Sequence, residues 1–160
     1  MNTQNPLWYL KQIDLFKNLP EEELMSIKAK MKEKRYSHKN IIYTPHTEED
    51  SIYILKEGEI TIYYSHNGRR LILDVLKPGS FFGNLNFAEE KNTHFAEASR
   101  GAFVCIFSKK VFAQIFSDHP ELIFQLFQYI TERMGEYEQK LRDIVFGSKE
   151  KIMNQVSILQ

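Results

Sequence analysis

The chain has 160 residues and a mass of 19.0 kDa; 42% of the residues are hydrophobic and 26% are charged, as in a globular domain with a core of its own. Its 21 Lys and Arg balance its 21 Asp and Glu, and zero net charge argues against DNA binding by these residues alone. The single cysteine, Cys105, excludes a disulfide framework and an iron–sulfur cluster. Without a signal peptide or a long apolar stretch, we expect a cytoplasmic protein that does not enter the membrane.

Residues up to about Met31 have the pattern of short helices. Pro20 is followed by three glutamates, which suits the first turn of a helix because proline presets φ and acidic side chains interact favourably with the helix dipole. Leu24, Ile27 and Met31 then follow at spacings of three and four. These spacings predict one apolar helical face.

From about Lys34 to Phe107 the pattern changes to that of short strands. Ile60, Ile62 and Tyr64 alternate with their neighbours, which is the period of a strand. A turn is predicted at Glu57-Gly58, and Asn67-Gly68 is typical of a type I′ hairpin. Residues 103–107 form an apolar run that predicts a buried strand containing Cys105. Frequent turns between short strands favour a small barrel or jelly roll.

The third part of the chain predicts one long helix. Asp118 is the expected N-cap, with Pro120 and Glu121 in the first turn. The apolar residues then follow at alternating spacings of four and three, the heptad pattern of a coiled coil. They are Ile123, Phe127, Ile130, Met134, Tyr137, Leu141 and Ile144. At 1.5 Å per residue the helix would be roughly 40 Å long, so we expect a homodimer seam; a helix packed on its own barrel is the alternative.

Charged residues beside the heptad seam suggest its orientation. With Phe127 at position a, Arg133 falls at position g and Glu138 at the following e. This spacing suits a salt bridge between the chains of a parallel pair. A surface ion pair would add only a few tenths of a kcal/mol, so it would favour orientation more than stability.

Three segments in order resemble the sensory half of the CRP/FNR family of bacterial transcription regulators. They are residues 15–20 (LFKNLP), residues 52–60 (IYILKEGEI) and residues 78–83 (PGSFFG). The resemblance implies an α+β fold, in which a cyclic-nucleotide-binding-like β jelly-roll barrel is flanked by N-terminal helices and a long C-terminal coiled-coil dimerisation helix. It also implies that a small-molecule effector controls DNA binding.

The resemblance also implies a division of the chain into three parts. We expect an effector-sensing barrel domain with its N-terminal helices over residues 1–117 and a dimerisation helix over residues 118–147. Residues 148–160 would begin a DNA-binding domain beyond a hinge at Gly147. The chain ends inside an apparent helix without a capping signal, so we expect a piece of a longer protein whose DNA-binding domain lies outside it; a protein without its own DNA reader is the alternative.

Family members that bind cyclic nucleotides have a Gly-Glu…Arg-Ser/Thr-Ala pattern, in which Glu binds the ribose hydroxyl and Arg and Ser/Thr bind the phosphate. On this chain the resemblance places Gly83 and Ala96 at the unchanged positions, but Asn84, His94 and Phe95 at the other three. Burying a phosphate charge requires a paired cation, and histidine provides one only when protonated. We therefore expect a site that does not bind cyclic AMP in the usual way. The predicted effector-binding residues are Phe82, Gly83, Asn84, Leu85, His94, Phe95, Ala96, Tyr137 and Glu138.

Two further functions stay open at this point. Phe81, Phe82, Phe87 and Phe95 could surround His94 with an apolar pocket, and some relatives sense gases through haem, so His94 is a candidate haem ligand. A regulatory module that does not act on DNA is the second. The chain contains no P-loop, GxSxG, HExxH or CxxC motif, and we expect neither an enzyme nor a metal site apart from that haem candidate.

Overall fold

The computed structural model describes residues 7–48, 50–85 and 91–158, and side chains as far as residue 147. The helices are α1 (Trp8–Gln12), α2 (Glu21–Ala29), α3 (Lys109–Asp118) and α4 (Leu122–Ile158). The strands are β1 (Lys32–Tyr36), β2 (Ile41–Tyr43), β3 (Ser51–His66), β4 (Arg69–Leu76), β5 (Phe81–Gly83) and β6 (Phe95–Ser108). The chain divides into two compact units, Met1–Pro120 and Glu121–Gln160.

The first unit is built on an antiparallel sheet centred on the long strands β3 and β6. The strand order is β1-β6-β3-β4, and β2 pairs with β6 while β5 pairs with β3. Alternating residues of these strands fill the core, as the period of two predicts. Its members include Tyr43, Tyr53, Leu55, Ile60, Ile62, Leu76, Phe82, Ala96, Ala98 and Val104. The predicted α+β fold is confirmed, and among the described helices none has the length and apolarity to cross a membrane.

Two predicted turns have different outcomes. Asn67 and Gly68 both have positive φ values (49° and 74°) and join His66 to its partner Arg69, so the predicted hairpin is confirmed. The turn predicted at Glu57-Gly58 is wrong, because β3 runs through it as one strand with register shifts against β6. A Cβ on Gly58 would lie 1.9 Å from the carbonyl oxygen of Gly101, and its φ of +91° bends the strand while the pairing continues.

Helix α3 is absent from the predicted elements. It begins after Ser108, whose side chain accepts a hydrogen bond from the backbone N–H of Val111 at 3.1 Å. Phe112 and Ile115 are buried. Asp118 is therefore the last residue of α3 rather than the N-cap of the long helix, and that prediction is wrong because α4 begins at Leu122.

The second unit is the helix α4, which has 37 residues. Gly147 lies inside this helix, and the segment expected beyond the hinge, residues 149–156, continues it. Leu159 and Gln160 lie outside the described residues. The domain boundary at residue 147 stays a prediction.

Candidate effector site

Gly83 ends the short strand β5 at the predicted site. It pairs with Ile52 of β3 and has a φ of +107°, a conformation that favours glycine. A Cβ at this position would lie 2.9 Å from the carbonyl oxygen of Ser51 and 3.0 Å from the ring of Tyr53. The packing of β5 against β3 therefore requires glycine here.

Three aromatic rings in contact near Gly83 form what we call the aromatic cluster, in which Phe82 stacks on both Tyr43 and Tyr53. The centroids of Tyr53 and Phe82 are 5.0 Å apart with an interplanar angle of 20°. Tyr43 is 5.7 Å from Tyr53 and 6.3 Å from Phe82. All three side chains are buried, so aromatic rings fill this part of the barrel interior.

His94 is fixed by hydroxyl groups on both sides of its ring. Its Nε2 lies 2.9 Å from the hydroxyl of Tyr43, and its Nδ1 lies 3.2 Å from Oγ1 of Thr93. Its ring also contacts the rings of Tyr43 and Tyr64. Burial lowers the pKa of His94, because desolvation disfavours the charged form. A neutral imidazole cannot provide the cation that a buried phosphate needs.

Phe95 packs on the neighbouring strand rather than beside His94. Its ring stacks on Tyr63 at a centroid distance of 5.1 Å and an angle of 4°. The hydroxyl of Tyr63 donates to Glu97 at 3.2 Å, and Arg70 is held by the same carboxylate at 3.1 Å. The expectation that Phe95 helps to surround His94 is therefore wrong, because Phe95 begins β6 opposite Tyr63 of β3, whereas His94 precedes the strand and contacts Tyr43 and Tyr64.

Phe81 also lies elsewhere than expected. Its ring contacts Phe16, in the segment between α1 and α2, and Phe112 of α3 at 6.3 and 5.9 Å. Phe87 lies outside the described residues. The aromatic residues that do contact His94, Tyr43 and Tyr64, were missed by the sequence analysis. Tyr43 is buried in β2 and Tyr64 of β3 is 42% exposed, and no local pattern links either of them to a residue as far along the chain as His94.

Of the remaining predicted residues of the first unit, Asn84 and Leu85 follow β5 directly and Ala96 lies in β6. Asn84 donates from Nδ2 to the backbone carbonyl of Lys91 at 3.1 Å, Leu85 is half-buried, and Ala96 is fully buried opposite Ile62. Asn92 is buried, and its Oδ1 has no hydrogen-bond partner among the described residues. Whether these residues contact an effector stays a prediction.

The charged residues between Gly83 and Ser99 do not favour the binding of an anion. Between Gly83 and Ser99 the sequence has one cation, Lys91, against Glu89, Glu90 and Glu97. Lys91 is exposed, and its backbone forms an isolated bridge with Glu48. An exposed lysine neutralises a buried phosphate poorly compared with a bidentate arginine.

The structure does not fit a haem bound through His94. An axial ligand keeps one ring nitrogen for iron, whereas both nitrogens of His94 lie within hydrogen-bonding distance of hydroxyl groups. No group of three or more His, Cys, Asp or Glu side chains that could hold a metal ion is found within residues 7–48, 50–85 and 91–147.

Cys105 is fully buried, as predicted. Burial raises the pKa of its thiol to about 12, and burial also raises the pKa of the Tyr9 hydroxyl, which donates to Glu33 at 2.9 Å. A protonated, enclosed thiol is a poor nucleophile, so Cys105 packs as a small apolar residue.

The predicted dimer seam is an exposed stripe along α4. Its seven residues, Ile123, Phe127, Ile130, Met134, Tyr137, Leu141 and Ile144, are between 37% and 66% exposed. Exposed apolar residues repeated at heptad spacing are typical of a helix that meets another helix. The dimer itself stays a prediction.

Arg133, expected to bond across that dimer, has contacts within its own helix. Its guanidinium donates to the hydroxyls of Tyr129 at 3.0 Å and Tyr137 at 2.8 Å. An interchain pair with Glu138 would compete with these bonds. Tyr137 and Glu138 lie on α4, and their predicted contact with an effector stays a prediction.

A sequence model of the cyclic nucleotide-binding domain matches residues 33–119, which is more than half of the chain. The chain belongs to the cyclic nucleotide-binding domain family. The cAMP-activated global transcriptional regulator CRP of Salmonella typhimurium is 24% identical over 112 residues, which are 69% of this chain and 53% of that protein. The chain thus spans about half the length of the curated relatives it matches.

Solved structures show the same fold. A CooA mutant from Carboxydothermus hydrogenoformans superposes with a TM-score of 0.72 at 21% identity, over 94% of this chain and 97% of that chain. The Catabolite Activator Protein of Thermus thermophilus gives a TM-score of 0.68 at 19% identity, over 83% of this chain and 63% of that chain. At these identities the likeness establishes the fold alone.

Proposed function

We propose that this chain is the effector-sensing and dimerisation part of a CRP/FNR-like DNA-binding transcription regulator, and that its effector is not a cyclic nucleotide held in the family's usual way. Family membership and the likeness to CRP, whose name describes a transcriptional regulator, support the first part. DNA would be contacted by a domain outside these 160 residues, in the cytoplasm.

The claim that the effector is not a cyclic nucleotide held in the usual way rests on His94, which lies at the position where the family's nucleotide binders have arginine. Its ring is held by Tyr43 and Thr93, and its pKa is lowered by burial. A cyclic phosphate placed here would lose its water without gaining a paired cation, and that desolvation is costly. An uncharged or weakly polar effector would avoid this cost.

The proposed mechanism links effector binding to the arrangement of two α4 helices. Contacts of the effector with residues 83–96 would favour one packing of barrel and dimer helix over another. The helices would then reorient the DNA-binding domains through the region of Gly147. This coupling requires that the effector binds the two arrangements with different affinities, since equal affinity would shift nothing.

Isothermal titration calorimetry of the 160-residue chain with cyclic AMP and cyclic GMP tests the proposal. We expect no saturable heat at nucleotide concentrations up to about 1 mM. A dissociation constant of that size corresponds to a binding free energy near −4 kcal/mol. Micromolar affinity for either nucleotide would overturn the claim about the effector.

The claim about DNA has a separate test. The gene product in its natural length is expected to bind a DNA fragment from its own promoter region with a steep salt dependence, as phosphate contacts require. A natural-length product that binds no promoter fragment would favour a regulatory module that does not act on DNA.

A further inference from the structure

The sequence around β1 is strongly basic although the whole chain has no net charge. From residue 28 to residue 39 there are six Lys and Arg and a single acidic residue, Glu33. The cations are Lys28, Lys30, Lys32, Lys34, Arg35 and Lys39. The three in β1 itself, Lys32, Lys34 and Arg35, are exposed. This segment, which we call the basic edge, is not used by the proposed function.

The basic edge lies at the rim of the sheet. Strand β1 pairs with β6, from Lys32 opposite Ile106 to Tyr36 opposite Ala102, and among the described strands it pairs with no other. The side of β1 that faces away from β6 therefore meets no further strand among those described, as at the edge of a sheet. Such an edge invites pairing with an extended peptide unless charged side chains discourage it, and here those charges are mostly positive.

An open groove of about 410 Å³ lies beside the end of β1. Its lining includes Arg35, Tyr36, Ala102 and Phe103. The guanidinium of Arg35 lies 4.1 Å above the ring of Phe103 and 3.6 Å from the carboxylate of Glu57. Since the side chain of Arg35 is 70% exposed, its planar donors remain accessible to a second carboxylate.

We propose that the basic edge binds an extended acidic segment of a partner protein, which adds a strand to β1 and places a side chain in the groove. Strand addition uses backbone donors and acceptors alternately, with pockets that select side chains. Acidic side chains on one face of the added strand would match Lys32 and Lys34, and the side chain placed in the groove would meet Arg35 on the other face, because successive residues of a strand point to opposite faces. A DNA backbone offers phosphate acceptors but no donors for the carbonyls of β1, so the edge favours a peptide over DNA.

The direct test uses a labelled peptide of about seven residues, slightly longer than a short strand, in which Glu and Val alternate. Fluorescence anisotropy with the 160-residue chain should show saturable binding. Raising NaCl from about 50 mM to about 300 mM should weaken it several-fold, because added salt screens exposed charges. The same peptide with Lys in place of Glu should not bind.

Two double variants and one modified peptide distinguish strand addition to β1 from non-specific attraction between opposite charges. The double variant Lys32→Glu with Lys34→Glu should weaken binding at least about tenfold, whereas Lys11→Glu with Lys110→Glu, which makes the same charge change on exposed helical residues, should change it less than about twofold. N-methylation of alternate peptide bonds, which removes backbone donors, should abolish binding.

Several results would overturn the proposal. Equal binding of the N-methylated peptide would show that no strand is added to β1. Equal loss in both double variants would show that net charge alone attracts the peptide. Tighter binding of a single-stranded oligonucleotide than of the acidic peptide, measured at the same salt, would assign the basic edge to nucleic acid. Circular dichroism of each variant verifies that the chain still folds.

Discussion

Charged substitutions in the α4 stripe should separate the proposed dimer without unfolding the chain. Met134 and Leu141 are 57% and 62% exposed in the single chain, so replacing both with glutamate removes few contacts within it. Surface substitutions of this kind usually change the free energy of unfolding by less than about 0.5 kcal/mol. In a dimer, the same positions would bring four carboxylates into an apolar seam.

The magnitude follows from the exposed fractions. Fully burying a Met or Leu side chain contributes about 1.5–3 kcal/mol, and somewhat more than half of each side chain remains to be buried, so each position contributes about 1–2 kcal/mol. Four such positions in a dimer contribute about 4–7 kcal/mol, and at 1.4 kcal/mol per factor of ten this weakens dimerisation by roughly a thousandfold to a hundred-thousandfold. Desolvation of the carboxylates adds to this loss.

Sedimentation velocity at micromolar concentration measures the effect. The unmodified chain should sediment as a dimer and the double variant Met134→Glu with Leu141→Glu as a monomer, with unchanged far-UV circular dichroism. A control with Gln128→Glu and Gln139→Glu adds the same charge at exposed positions outside the stripe and should remain dimeric. A dimeric Met134/Leu141 variant, or a monomeric unmodified chain, would refute the heptad assignment.

Three further predictions concern the first unit. Burial holds the pKa of His94 below its unfolded value of about 6.5, so the unfolded chain binds a proton first and the free energy of unfolding should fall as the pH drops below about 6.5. Urea unfolding of His94→Gln should show a smaller fall over the same pH range, and an equal fall would contradict this. Phe82→Ala opens a cavity against Tyr43 and Tyr53 and should cost about 3–5 kcal/mol in the same assay, whereas a loss below 1 kcal/mol would mean that the aromatic cluster is loosely packed. The Cys105 thiol, with a pKa of about 12, should react with Ellman's reagent at pH 8 only after denaturant is added, so rapid reaction of the native chain would show that it is accessible.

Much of the fold follows from local patterns. The hairpin at Asn67-Gly68 requires positive φ at both residues, which few other dipeptides provide. The alternation in β3 and the heptads in α4 reflect which side chains point inward or toward a partner, so periodicity predicts these elements. Helix α3 was missed because its first apolar residue, Val111, follows Phe107 of the buried strand after only three residues, 108–110.

The site is less accessible to sequence reasoning because its contacts are distant along the chain. The changed residues of the family pattern drew attention to His94 and Phe95, but their contacts depend on how distant strands pair. The register of β6 against β3 places Phe95 on Tyr63, whereas His94 lies just before β6 and meets Tyr43 of β2. The hydroxyl that holds His94 is 51 residues away, and no motif connects the two.

The most direct test of the central claim compares cyclic AMP binding to the unmodified chain and to a variant in which the family pattern is rebuilt. The variant carries Asn84→Glu, His94→Arg and Phe95→Ser, and both proteins are titrated by calorimetry at the same concentration. We predict no saturable heat for the unmodified chain and at least about tenfold tighter binding for the variant, which gains a paired cation and a ribose acceptor. Micromolar binding to the unmodified chain, equal to or tighter than that of the variant, would contradict it.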